Sequence, residues 1–186
     1  MNTDYLIIDL EATCDNGGLV PRDEMEIIEI GGVLVDHETL DPIDEFASFV
    51  RPVRRRTLTP FCVELTSITQ AQVDAAPRFP AVMRELADFV ARHGYPLFCS
   101  WGGYDQKQLR QDARYHRVAA PLGPRHLNLK QAFSERLGTR KRFGMEAALR
   151  RVGVELLGTH HRGIDDARNI ARILPYALGR RPIPAR

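Results

Sequence analysis

Asp9 and Glu11 stand two residues apart at the end of the apolar run Tyr5-Leu-Ile-Ile. If that run is a strand, both carboxylates leave the same face of its sheet. Like charges so placed raise one another's cost of ionisation unless a cation lies between them, and hard oxygen donors suit Mg²⁺ or Mn²⁺. On this spacing alone the simpler reading puts Glu11 in a solvated loop after the strand. Asp105 follows the small, flexible stretch Ser100-Trp-Gly-Gly, just ahead of a helical pattern. An Asp there accepts orphan N–H groups and suits the helix dipole, so capping alone would explain it. Asp165 and Asp166 open another helical pattern, and one of them reads as its cap; the Gly163 turn leaves the phase open. His160 and His161 precede that glycine. With a pKa of about 6.5, a loop histidine can take a proton from a metal-bound water near neutral pH, a role matched to hydrolysis.

Holding these residues requires a sheet and helices. Branched apolar residues mark strands over 5–10 and 27–36, weak alternation marks a third over 44–50, and 97–100 is a short fourth after the Gly94-Tyr-Pro96 break. Helical spacing covers 79–90, 106–115, 129–137, 145–152 and 167–178, with Gly138, Gly153 and Gly179 as stops. Strands first and helices after, with one strand among them, imply an α/β domain: a mixed sheet with helices packed on it, without internal repeats. A single domain over 1–179 is expected, followed by a Pro-rich tail, 180–186, that reads as a frayed end.

Composition excludes little else. At 186 residues, 44% hydrophobic and 27% charged, the chain can bury one core. No apolar run approaches the roughly 20 residues of a membrane span and no leader is apparent, so a cytoplasmic protein with no membrane role is expected. Cys14, Cys62 and Cys99 are too few and too scattered for a disulfide framework or a CxxC zinc site, and are expected as small buried hydrophobes. A net charge of +2 leaves nucleic-acid binding to local charge.

Taken together, Asp9-Leu-Glu-Ala-Thr, Trp101-Gly-Gly-Tyr-Asp105 and His160-His161-Arg-Gly-Ile-Asp165-Asp166-Ala-Arg-Asn-Ile-Ala-Arg resemble the three motifs of the DEDDh exonuclease family. Leu65-Thr-Ser-Ile-Thr-Gln, Asn128-Leu-Lys and Gly158-Thr-His-His-Arg-Gly-Ile-Asp-Asp are similar to the group acting on histone messenger RNA ends, small interfering RNA and ribosomal RNA. The likeness runs from about Tyr5 to Leu174. It implies an RNase H-like fold, with Asp9, Glu11, Asp105 and Asp166 holding two divalent metals, Mg²⁺ by default and Mn²⁺ as an alternative, and His161 as general base. The family places its last acid five positions after its histidine, which leaves His160 and Asp165 outside. The activity so implied is 3′–5′ removal of single nucleotides, as 5′-monophosphates, from single-stranded nucleic acid, RNA before DNA.

Ala12 and Thr13, just after Glu11, are candidates for contact with the terminal sugar. The resemblance implies that Phe61 and Tyr104 sandwich the terminal base with Leu65 wedged beside it; core packing is the competing explanation for each. Relatives often carry Trp where this chain has Tyr104 and Gly where it has Ser67. Two basic clusters, Arg51 with Arg54 to Arg56 and Arg136 with Arg140 to Arg142, could follow phosphates or simply be solvated. The rival readings are a DNA-directed or oligoribonuclease-like exonuclease, and a catalytically silent binding module.

Overall fold

The computed structural model describes residues 3–185. Five strands form one mixed sheet: β1 (Tyr5–Ala12), β2 (Ile27–Val35), β3 (Pro42–Phe49), β4 (Leu97–Ser100) and β5 (His126–Asn128), ordered β3-β2-β1-β4-β5. β2 is antiparallel to β1 and β3, whereas β4 runs parallel to β1 and β5 parallel to β4. Among the described residues seven α-helices accompany it, besides a short 3-10 turn over Arg22–Glu24: α1 (Pro60–Thr66), α2 (Gln70–Ala75), α3 (Phe79–Arg92), α4 (Tyr104–His116), α5 (Leu129–Arg136), α6 (Met145–Val152) and α7 (Gly163–Ala177). This is the expected α/β architecture.

Alternation along β1 sorts the core. Leu6, Ile8 and Leu10 pack with Phe79, Leu86 and Leu109 of α3 and α4. Ile7 packs on the opposite face with Phe133, Leu149 and Ile170 of α5, α6 and α7. Asp9 and Glu11 continue the Ile7 face, so they emerge beneath α7 at the C-terminal end of the central strand. α4 leaves the neighbouring parallel strand at the same end, and its first turn arrives there from the other face.

Gly31 makes this approach possible. It pairs with Asp9 across β1 and β2, and a Cβ at Gly31 would lie 2.1 Å from the carbonyl carbon of Gly163. The first turn of α7 therefore rests directly on the sheet. Gly31→Ala is expected to destabilise the fold by about 3 kcal/mol or more, because backbone must move on both sides. That is a fall in Tm of roughly 6–12 °C, at 2–4 °C per kcal/mol for a chain this size. Gly123→Ala, with nothing within 4 Å, is the control. Equal melting temperatures would show that α7 is not seated by this contact.

Several boundaries differ from the sequence reading. α4 and α7 begin two and four residues earlier than 106 and 167, which puts Asp105, Asp165 and Asp166 inside helical first turns. α1, α2 and the three-residue β5 had no counterpart, being too short for a period to register. Residues 180–185 form no helix or strand but are not frayed: Ile183 packs against the core, and Arg180 and Arg181 donate their N–H groups to the Pro175 carbonyl; Arg186 lies outside the described residues. Cys62 and Cys99 are buried thiols, whereas Cys14 is only partly buried and faces a cavity.

Candidate active site

A cavity of about 810 Å³ opens at the end of β1, and Asp9, Glu11, Asp105, Asp166, His160 and His161 all line it. Glu11 belongs to the strand, not to a solvated loop, and is 8% exposed. Carboxylate oxygens of Asp9, Glu11 and Asp166 lie within 4.8 Å of one another. Asp105 does not cap its own helix: its Oδ1 accepts the Leu10 N–H at 3.2 Å, which pins the start of α4 to β1. Asp166 accepts the His161 N–H on Oδ2 at 3.1 Å, while its Oδ1 is buried with no hydrogen-bond partner.

This concentration of acid is costly without a counter-charge. Burial, followed by the Asp105 and Glu11 charges, holds Asp9 well above the ordinary carboxylate range. Burial, then the Asp166 charge, pushes Glu11 up to about 8. Burial likewise raises Asp105 and Asp166 to about 6 each, even though both sit where a helix dipole would favour their anions. Desolvation wins over the dipole. A set of oxygen donors from three elements, mutually repelled and with the buried Oδ1 of Asp166 unpaired, fits hard divalent cations.

The same balance predicts how stability depends on pH. In the protein without metal these acids have folded pKa values above their unfolded ones, so the folded state binds more protons between about pH 4 and 8, and stability falls as pH rises through that window. Glu11 alone is worth roughly 2 kcal/mol between pH 6 and 8. In EDTA, Tm is therefore expected to be about 4–8 °C lower at pH 8 than at pH 6. Mg²⁺ or Mn²⁺ at about a hundred times its dissociation constant restores about 2.7 kcal/mol, most visibly at pH 8, where protons compete least. A melting temperature that ignores both pH and divalent ion would remove the metal assignment.

His161 lies at the mouth, its Nδ1 4.0 Å from Glu11 and its ring stacked on His160 with centroids 4.0 Å apart. Burial, then the His160 charge, lowers its pKa, so the ring is neutral at physiological pH. Its backbone is left-handed, φ 65°, a conformation uncommon for a non-glycine residue. His160, which the motif register leaves outside, is inside, with Nε2 3.8 Å from Asp166. Asp165 is outside: it accepts the Thr159 N–H at 2.9 Å and pairs with Arg168 at 3.2 Å, so it braces the preceding loop.

Glu29 was missed. It sits opposite Glu11 in the β1–β2 ladder, where a like charge is unfavourable. Its carboxylate is consumed by Arg162, at 3.2 and 2.9 Å, and by the Gly163 N–H at 2.8 Å. Glu29 is thus compensated by the Arg162 charge, satisfies a donor at the start of α7 and fixes that helix beside Glu11. An acid inside the apolar run Ile27-Ile-Glu-Ile was the available signal, since a strand buried throughout must supply it a partner.

The nucleotide-binding candidates are not all gathered. Ala12, Leu65 and the 46%-exposed Tyr104 line the cavity. Thr13 is buried, with its hydroxyl accepting the Glu26 N–H at 2.9 Å. Phe61 is half-buried on α1, one turn before Leu65, and is not part of the cavity wall. Ser67 ends α1 with φ 57°, the left-handed position where glycine is easiest.

A mixed sheet presenting four acids and a histidine at the end of its central strand is the arrangement of a nuclease, and the chain belongs to the exonuclease family: the RNase_T family model matches residues 6–174. Within that family it is similar to "ERI1 exoribonuclease 3" of Mus musculus, 32% identical over 91% of this chain and 52% of that protein. It is also similar to "3′-5′ exoribonuclease 1" of Homo sapiens, 34% identical over 91% of this chain and 51% of that one. The chain thus spans about half the length of these curated relatives. A solved structure described as the nuclease domain of 3′hExo, a DEDDh family member, bound to rAMP, superposes with a TM-score of 0.89 at 31% identity, covering 99% of this chain and 96% of that one.

Proposed function

We propose that this protein is a 3′–5′ exonuclease that removes nucleotides singly from the 3′ end of single-stranded RNA and releases nucleoside 5′-monophosphates. The observation that carries the reading is the cavity floor of four carboxylates with one buried, unpaired oxygen on Asp166. Asp9, Glu11, Asp105 and Asp166 would hold two Mg²⁺ ions, with Mn²⁺ able to substitute. Bound there, the ions would acidify the attacking water and offset negative charge on the attacking and leaving oxygens. His161, neutral and open to solvent at the cavity mouth, takes the proton from that water as the new phosphorus–oxygen bond forms. The bond to the 3′ oxygen of the remaining chain breaks, and that oxygen is protonated from solvent.

The wall explains terminal recognition. Ala12 offers a small surface for the last sugar, Tyr104 an exposed ring for a base, and Leu65 an apolar edge of the same cavity. Stacking on such a ring contributes roughly 1–3 kcal/mol per base without demanding sequence. Thr13 acts behind this wall, its hydroxyl tying the end of β1 to Glu26, and Phe61 stands outside the wall on α1. RNA is favoured over DNA because curated proteins similar to this chain carry exoribonuclease names.

The test is time-resolved shortening of 5′-labelled RNA and DNA strands of equal sequence with Mg²⁺, Mn²⁺ or EDTA. A one-nucleotide ladder on RNA, abolished by EDTA, is expected. Equal or faster shortening of DNA would move the protein to a DNA-processing role, and no cleavage in any condition would leave a binding module.

A further inference from the structure

The two basic clusters have different fates. Arg54 is spent internally: its guanidinium lies 4.0 Å above the Tyr115 ring, within 3.8 Å of Glu26 and 3.7 Å of Asp112. Arg55 pairs with Glu24 and Arg51 donates to the Asp74 carbonyl. Arg136 also has structural work, donating to the Leu178 carbonyl at the end of α7. Lys141 and Arg142 are different. With Arg150 and Arg151 of α6 they line a groove of about 580 Å³ that has no acidic residue in its wall. Among the described residues, the only carboxylate within 4.0 Å of these four cations is Glu146, which pairs with Arg150 at 2.6 Å. Arg151 is fixed by donating to the Pro184 carbonyl, so the chain's tail forms one side of the groove.

This groove adjoins the acidic cavity. Phe143 and Gly144 line the groove, while the next residue, Met145, lines the cavity. Trp101, also in the cavity wall, donates its indole N–H to the Phe143 carbonyl at 3.0 Å. A single short segment therefore has carboxylates on one side and, on the other, four cations of which one, Arg150, is paired with a carboxylate. A strand whose last nucleotides occupy the cavity must leave it, and its next phosphates would be repelled by the acids and attracted to the groove. Guanidinium groups suit phosphate oxygens by forked hydrogen bonding.

We propose that the groove formed by Lys141, Arg142, Arg150 and Arg151 holds the phosphodiester backbone of the substrate strand on the 5′ side of the nucleotides in the catalytic cavity. This inference rests on the exonuclease reading. It makes affinity and turnover depend on substrate length, with the shortest substrates never reaching the groove.

The experiment compares wild type with Lys141→Glu/Arg142→Glu, two exposed positions outside the acidic cavity, on the dinucleotide UpU and on an oligouridine several times longer. Binding of the oligouridine is followed by fluorescence anisotropy in EDTA across a salt series, and cleavage with Mg²⁺. The variant is expected to bind the long strand about tenfold more weakly and to flatten the logarithmic salt dependence by about 1.4, at roughly 0.7 per phosphate contact on a single strand. Its kcat/KM on the long strand falls in step, while UpU cleavage and Tm are unchanged. Unchanged long-strand affinity, or equal losses on long and short substrates, would overturn the groove assignment. Charge-dependent binding by a wild-type protein that cleaves nothing would retain the groove and overturn the exonuclease reading.

Discussion

Asp9→Asn is expected to abolish turnover while making the metal-free protein more stable. Asp9 is squeezed by its neighbours, with Asp105 and Glu11 adding to its burial in raising its pKa. Replacing its charge with an isosteric amide relieves that repulsion, so Tm in EDTA at pH 8 should rise by a few degrees over wild type. The same substitution removes a carboxylate that lies with those of Glu11 and Asp166 inside 4.8 Å. The Mg²⁺-dependent gain in Tm should then shrink, and kcat should fall on the order of 10³-fold or more, since charge stabilisation at both reacting oxygens is lost together. Opposite movement of stability and activity is what a site built against folding should show. A variant that loses activity by melting would point to misfolding. A purified, folded variant that still shortens RNA at the wild-type rate would end the assignment of these acids.

The sheet and the larger helices were legible because their apolar residues keep a period over enough chain to be counted. β2 reads as one continuous branched run because both of its faces are covered. The 14-residue α3 shows the three-to-four spacing through Phe79, Met83, Leu86 and Val90. α1 and α2, of seven and six residues, show too little repeat, although their starts were written in Thr59-Pro60 and in the Thr69 to Gln72 capping box. Within the site the acids were visible as residue types, but their convergence was not. It depends on Gly31 and Gly163 touching across 132 positions, and on Glu29 and Arg162 pairing over a similar span. Neither contact leaves a periodic trace. The Asp165/Asp166 ambiguity is resolved by the roughly 100° between successive residues of a helix, which gives one acid to the cavity and the other to the loop at Thr159.

His161→Asn is expected to lower kcat by about 10²–10⁴-fold, the usual worth of a positioned general base, with little change in Tm or in the affinity for RNA. The choice of Asn matters because residue 161 has two separable tasks. Its backbone N–H donates to Asp166 at 3.1 Å and requires φ 65°, a left-handed conformation that Asn tolerates better than most residues. Its ring alone faces Glu11 and the cavity mouth. Asn therefore keeps the support given to Asp166 and deletes only the proton acceptor, so the Mg²⁺-dependent gain in Tm should survive, in contrast to Asp9→Asn. His160→Asn is the internal comparison. Its ring stacks on His161 and its charge helps keep that ring neutral, so its loss should be smaller and greatest at low pH, where His161 protonates more readily without it. If His160→Asn proved the more damaging of the two, the base would be His160 and the five-residue register between histidine and acid would not hold in this chain. A loss below about tenfold in both would mean that neither ring takes the proton, and that solvent alone receives it from a water already acidified by the site.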